Sequence, residues 1–297
     1  MRRTKRAAEW NSSQFMTCLD YEINYYSDRD FGEVELHSHD FFELYFFLGG
    51  GADYLVENMH YRLLPGDMLL IPPGNLHRPD LLSADEEYRR IVLWLNPRYV
   101  KRLSTPATDL AEAFAICAAR KDYLLRESEV ARRVEDLLFD LNERDPGEKF
   151  GDDVECEIRV REILLTLTRT LKESALLSPG DTLRRARADA TVTEIIEFID
   201  ANLEGDLSLD SVAEKMFLNK FYLARLFKRE TDTTLHRFIL KKRLLLSKKL
   251  IESGLPIVEV YARCGFKDYS HFFRAFKGEY GITPRQYHAA VTEGEPQ

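Results

Sequence analysis

Cysteine is scarce in this chain of 297 residues: Cys18, Cys117, Cys156 and Cys264 stand far apart and form no C-x-x-C pair. That spacing excludes a zinc ribbon or a disulfide framework and points to a reducing compartment. No window reaches the roughly 18 uninterrupted apolar residues of a membrane span. The basic start, MRRTKRAAEWNSS, runs into polar residues without the apolar stretch of a secretory signal. The expectation is a soluble, cytoplasmic protein. Apolar residues make up 44% and aromatics 11% of the chain, enough to fill the cores of two domains of roughly 150 residues.

Net positive charge is also missing. The formal charge of −8 averages two unlike parts. Residues 1–190 and 291–297 carry 26 Lys and Arg against 37 Asp and Glu, whereas 191–290 carry 16 against 13. Residues 219–249 alone hold ten bases (Lys220, Arg225, Lys228, Arg229, Arg237, Lys241, Lys242, Arg243, Lys248, Lys249) and two acids. Such a stripe suits phosphate attraction, and equally the solvated face of a helix.

From Tyr21 to Leu95 the chain reads as short strands, among them VELHSH, FFELYFFL, ADYLVE, DMLLIPP and RRIVLWL. Turn signals at Gly49-Gly50-Gly51, Pro65-Gly66-Asp67 and Pro72-Pro73-Gly74-Asn75 separate them, as in an all-β barrel or sandwich. Two amphipathic helices follow, over Glu127–Leu141 and Val154–Leu171, joined by a charged loop into an antiparallel hairpin. Their apolar stripe either covers the barrel or packs on a second subunit.

The last hundred residues repeat themselves at an offset of 49. LDSVAEKMFLNKFYLARLFKRETDTTLHRF (209–238) aligns without a gap on VEVYARCGFKDYSHFFRAFKGEYGITPRQY (258–287). The matches run from Ala213 with Ala262 and Phe217 with Phe266 to Arg225 with Arg274, Lys228 with Lys277 and Thr234 with Thr283. Each copy reads as a short helix, a turn and a second helix capped by Asn219 or Asp268, a helix-turn-helix outline. In the second helices Leu223, Leu226 and Phe227, or Phe272, Phe273 and Phe276, form the inward stripe. Lys220, Phe221, Arg225 and Lys228, with Tyr269, Ser270, His271, Arg274 and Lys277, point elsewhere. Arg225 and Arg274 are suited to bond guanine in a major groove, and Lys228 and Lys277 to hold phosphate. An apolar helix of about 17 residues, ~25 Å long, lies between the copies and sets their spacing.

Residues 191–290 thus resemble the DNA-binding domain of the AraC/XylS family of bacterial transcription regulators. The most specific piece is GFKDYSHFFRAFKGEYGITPRQY at 265–287, where Gly265-Phe266, Phe272, Phe276-Lys277, Gly281, Thr283-Pro284 and Tyr287 match the family signature. Asp232 stands where the first copy usually has Gly, and Cys264 replaces an aliphatic residue; Asp tolerates a left-handed helix exit and Cys packs as a small hydrophobe. The resemblance implies that Phe221, Arg225, Tyr269, Ser270, His271 and Arg274 face bases.

In the N-terminal part, His37-x-His39-x3-Glu43, then Gly50, then Gly66-x5-Pro72-x-Gly74-x2-His77 assembles three imidazoles and a carboxylate. On a strand, 37, 39 and 43 share one face, and a hairpin return brings His77 beside them. The set suits Fe(II), Mn, Ni or Zn. It resembles the two cupin motifs, although Phe31 and Leu81 replace the leading Gly and closing Asn. Sensor domains of AraC-type regulators resemble cupins too, so His37, His39, Glu43 and His77 stand as metal ligands, as pocket lining or as structural histidines. Tyr45, Tyr54, Arg78 and Trp94 are further pocket candidates, suited to a sugar-sized molecule or, for Tyr45 and Trp94, to core filling.

The expected protein is multidomain α+β. An arm (1–16) precedes a cupin-like sensor barrel (17–100), a helical hairpin for dimerisation (101–177) and a linker (178–190). An all-α domain with two helix-turn-helix units (191–290) and a tail (291–297) follow. Its expected function is that of a homodimeric transcription activator, controlled by a small molecule such as a sugar in the barrel, with double-stranded DNA and RNA polymerase as partners and no catalytic residues. The alternatives are a metal-dependent cupin enzyme with an attached DNA-binding module, and a regulator answering to a protein through the 127–171 helices.

Overall fold

In a computed structural model of the chain, residues 16, 18–29, 32, 34–82, 86–144, 146–177, 186, 187 and 189–293 are described. The proposed arm before residue 16, most of the linker and the last four residues lie outside them, as does Phe31. The chain divides into two compact units, one of Met1–Glu35 and His39–Arg187, the other of Leu36–Ser38 and Ala188–Gln297. Among the described residues no helix is long and apolar enough to cross a membrane.

The first unit is built on two antiparallel sheets. Strands β1 (Tyr21–Asp28), β2 (Phe42–Gly49), β5 (Met68–Ile71), β7 (Tyr88–Leu95) and β8 (Leu124–Leu125) form one, in the order β1-β7-β2-β5-β8. Strands β3 (Ala52–Val56), β4 (Met59–Arg62), β6 (His77–Leu81) and β9 (Ala186–Arg187) form the other, in the order β6-β3-β4-β9. The segment VELHSH joins no named strand; β2 begins only at Phe42. The face-sharing argument for His37 and His39 therefore does not apply to them.

Helices α1 (Pro97–Leu103) and α2 (Glu112–Arg120) precede the hairpin of α3 (Ser128–Asn142) and α4 (Asp152–Leu177), which pack on each other. Val134, Leu138 and Leu141 of α3 and Val160, Ile163, Leu164, Leu167 and Leu171 of α4 belong to the same buried core as the strands. The hairpin stripe thus covers the barrel, and the reading of it as an unassigned surface for a protein partner loses its basis. Val154 and Ile158, at its N-terminal end, are exposed.

The second unit is helical: α5 (Ala190–Ala201), α6 (Leu209–Lys215), α7 (Lys220–Thr231), α8 (Leu235–Glu252), α9 (Ile257–Arg263), α10 (Tyr269–Tyr280) and α11 (Pro284–Glu293). Asn219 Oδ1 accepts from Phe221 N and Tyr222 N to open α7, and Asp268 Oδ1 accepts from His271 N to open α10. Thr283 and Gln286 exchange bonds in a capping box ahead of α11. Asp232 takes the left-handed conformation at the α7 exit (φ +53), and Gly281 the same at the α10 exit (φ +72).

The ungapped alignment of the two copies needs correction. Four residues separate α6 from α7, and five separate α9 from α10. The first helices therefore superpose at an offset of 48, so that Val212 matches Val260, both fully buried. Phe217 (φ +54) matches Gly265 (φ +75), the left-handed residue of each turn. Phe217 is 96% exposed whereas Phe266 is 5% exposed, so those two are not equivalents. Beyond the turn the offset of 49 holds, and Arg225 and Arg274 stand six residues past their caps.

Candidate nucleic-acid interface and buried polar cluster

The amphipathic pattern of α7 and α10 decides what they present. Leu223, Leu226 and Phe227 are buried on α7, and Phe272 and Phe276 on α10, while Phe273 is half-buried. Lys220, Phe221, Arg225, Lys228, Tyr269, Ser270, His271, Arg274 and Lys277 are all exposed. Among the described residues the side chains of Arg225, Lys228, Arg274 and Lys277 have no ion pair or hydrogen bond. Their charge is left for an external anion. Lys220 pairs with Asp210 at 2.8 Å on the surface, a contact worth little in water.

The rest of the basic stripe behaves differently. Lys241 and Lys242 are each 7% exposed and Lys248 is 4% exposed. Lys241 pairs with Glu279, Lys242 with Asp200, and Lys248 lies over the rings of Tyr280 and Tyr287. Arg243 donates to two backbone carbonyls, and burial pulls its pKa below the usual value. Arg229 pairs with Glu230. Six of the ten bases that made the stripe, Lys220 among them, thus have a named partner within the protein.

In the first unit His39, Glu43 and His77 are buried, with ligand atoms within 4.8 Å of one another. His37 is not a member of this group; it is half-buried in an irregular segment assigned to the other unit. His39 donates from Nδ1 to Phe41 O, and His77 from Nδ1 to Asn75 O, each at 2.9 Å. Both carbonyls fix the proton on Nδ1, which turns the Nε2 lone pairs toward Glu43. Glu43 Oε2 lies 3.0 Å from His39 Nε2 and 3.9 Å from His77 Nε2. Two acceptors at 3.0 Å repel unless a proton or a cation lies between them. The donor set therefore fits a divalent metal of the kinds expected.

Glu43 and Trp94 are cross-strand partners on β2 and β7, and Trp94 Nε1 donates to Glu43 Oε2 at 2.9 Å. Tyr54 also bonds Glu43, and the hydroxyls of Tyr45 and Tyr88 bond each other. Arg90 lies over the rings of Tyr26 and Tyr88 and donates to Asp28 at 2.7 Å. Burial pushes the hydroxyls of Tyr45 and Tyr54 well above their ordinary range and those of Tyr26 and Tyr88 up to about 12. Tyr88 and Arg90 were missed from sequence. The signal was available, since 88 and 90 share strand parity with Trp94. Arg78 has the opposite parity to His77 on β6 and pairs with Asp80.

The sequence of the chain matches the AraC-like ligand binding domain over residues 19–164 and a helix-turn-helix domain over 212–290. Multiple antibiotic resistance protein MarA of Escherichia coli is 34% identical over 115 residues, 38% of this chain and 91% of MarA. The chain belongs to the AraC family. It is a DNA-binding transcription regulator with an N-terminal ligand-binding domain. Another relative is the HTH-type transcriptional regulator GbdR of Pseudomonas aeruginosa, 32% identical over 35% of this chain and 28% of its own length. Among solved structures, the C-terminal domain of AraT from Geobacillus stearothermophilus is 31% identical over 34% of this chain and 86% of that one, with a TM-score of 0.34. ToxT from Vibrio cholerae with bound unsaturated fatty acid is 16% identical over 96% and 100%, with a TM-score of 0.41.

Proposed function

We propose that α7 and α10 enter two consecutive major grooves of one DNA duplex. Arg225 and Arg274 read bases together with Phe221, Tyr269, Ser270 and His271, while Lys220, Lys228 and Lys277 hold phosphates. The observation that carries this reading is that Arg225 and Lys228 of α7 and Arg274 and Lys277 of α10, at equivalent positions of the repeated helices, are exposed and have no side-chain partner among the described residues. The test is to measure binding to a selected duplex and to random DNA as salt is varied. Arg225→Ala or Arg274→Ala is expected to cost ~1–3 kcal/mol on the selected duplex and to relax base preference. Lys228→Ala is expected to weaken both duplexes alike and to lower the salt slope by about one. Equal losses on both duplexes for every variant would overturn the roles.

The regulator is proposed to be a cytoplasmic homodimer that works with RNA polymerase as an activator, without catalysis of its own. Its control by a small molecule, a sugar among the candidates, is placed at His39, Glu43, Tyr45, His77 and Trp94. The facing Nε2 atoms favour a second reading in which a divalent metal is held by His39, Glu43 and His77. A bound metal there would supply charge and Lewis acidity, and Phe41 O and Asn75 O orient the two rings toward it. Elemental analysis of untagged protein, purified without chelator, decides between them. One equivalent of metal in the wild type and none in His39→Ala supports the metal site. No metal in either removes it, and thermal-shift screening with sugars then tests the organic effector.

A further inference from the structure

Lys241, Lys242 and Arg243 are consecutive on α8, and each is bound to a different part of the second unit. Lys241 Nζ pairs with Glu279 on α10. Lys242 Nζ lies 3.2 Å from Asp200 on α5. Arg243 donates from Nε to Leu203 O at 3.0 Å and from Nη2 to Gly205 O at 2.7 Å, in the loop between α5 and α6. With 3.6 residues per turn, three successive side chains fan over about 200° of the helix surface. They can be satisfied together only by bodies on different sides of α8.

Gly265, in the turn between α9 and α10, closes the arrangement. It is left-handed, and a Cβ there would overlap Leu203 O and lie 2.8 Å from Arg243 Cζ. The second turn, the α5–α6 loop and the α8 guanidinium thus meet at one point.

The bodies so joined have separate interiors. The core formed by Leu244, Ile251, Val260, Phe266, Phe272 and Phe276 includes no buried residue of α5, α6 or α7. A cavity of about 1070 Å³ opens beside the junction, with Leu207 and Arg225 on one side and Phe266 and His271 on the other. Apolar packing joins each helix-turn-helix unit to α8, through Phe227 on Phe238 and through Leu244 and Ile251 in the second core, but that second core holds no buried residue of the first unit. Ion pairs and charged hydrogen bonds add direction more than stability, which is how buried charges come to specify a register.

We propose that Lys241, Lys242 and Arg243 form a spacing clamp. They fix the distance and rotation between α7 and α10, so the protein selects operators by the number of base pairs between two half-sites as well as by their sequences. The proposal rests on the reading of α7 and α10 as base readers. One inserted base pair moves the second half-site by about 3.4 Å and, at about 10.5 base pairs per turn, turns it by about 34°, which a rigid pair of helices cannot follow.

The test is selection of duplexes from a random DNA library with the full chain, followed by affinities for the selected duplex with one base pair inserted between its halves. The wild type is expected to enrich two half-sites at one spacing and to lose about tenfold on the insertion. Lys242→Met and Arg243→Lys are expected to enrich the same half-sites at several spacings, with about threefold loss or less on the insertion. Arg225→Ala is expected to do the converse, degrading one half-site at unchanged spacing. Variants that keep the single spacing and the full penalty would overturn the clamp. So would a wild type that tolerates the insertion, a measurement that needs no variant to fold. A wild type that enriches no two-part sequence would instead defeat the base-reading roles, and the clamp with them.

Discussion

Both units bury polar groups, but they complete them in different ways. In the first, the polar groups of the interior mostly answer one another: His39 and Trp94 meet Glu43, Tyr45 meets Tyr88, and Arg90 reaches Asp28. In the second, buried Lys241 and Lys242 tie separate helices to α8, while Arg225, Lys228, Arg274 and Lys277 stand outside without partners among the described residues. An internal network of this kind is costly to disturb, and the acceptor pair of His39 and Glu43 inside it leaves room for a proton or one small cation. Unpaired surface bases cost little in water and keep their charge for a large polyanion. Charge alone therefore does not mark an interface; the reading rests on exposed bases, without a partner among the described residues, that recur at equivalent positions of the two recognition helices.

The sharpest way to break this comparison is to damage one unit and leave the other. Gly265→Ala adds a Cβ where the backbone is left-handed and where Leu203 O and Arg243 already stand. It is expected to cost the second unit about 3 kcal/mol or more. In a denaturant titration the DNA-binding transition should move to lower denaturant while the barrel transition stays in place. A common shift of both transitions would show that the units do not unfold separately.

Alkali is expected to discriminate more mildly and in the opposite sense. A tyrosine with a raised folded-state pKa contributes stability that is complete below its unfolded value near 10 and is lost as pH rises through the folded value. Tyr26 and Tyr88, held up to about 12, and Tyr45, Tyr54 and Tyr61, pushed higher by burial, all lie in the first unit. Cys264, raised to about 12 by burial, is the comparable group in the second unit, and Cys117 adds another in the first. Between pH 10 and 12 the barrel should lose stability first, followed by tyrosinate absorbance and by DNA binding as a readout of the second unit. Loss of DNA binding ahead of tyrosine ionisation would contradict the assignment.

The helical repeat was legible because its cues are local. Asn219 and Asp268 cap the helices expected of them, and the apolar stripes of α7 and α10 face inward. The one-residue difference between the two turns was not legible, because chance matches of Ala213 with Ala262 and Phe217 with Phe266 hid it. Only burial and the left-handed backbone at Phe217 and Gly265 show the true register. Similarly, His39, Glu43 and His77 meet as their spacing suggested, but His37 does not, since the segment before β2 is not a strand.

The sequence by itself determined the two-part organisation, the strand and helix periods, the caps, and the outward set on each recognition helix, because these depend on residues a few positions apart. Only the tertiary structure decided which bases remain available. Lys228 and Lys242 look alike in a charge count, yet one is exposed and unpartnered and the other is buried against Asp200, 42 residues away. A charge takes its role from the groups that folding brings to it, and those lie beyond the reach of any local pattern.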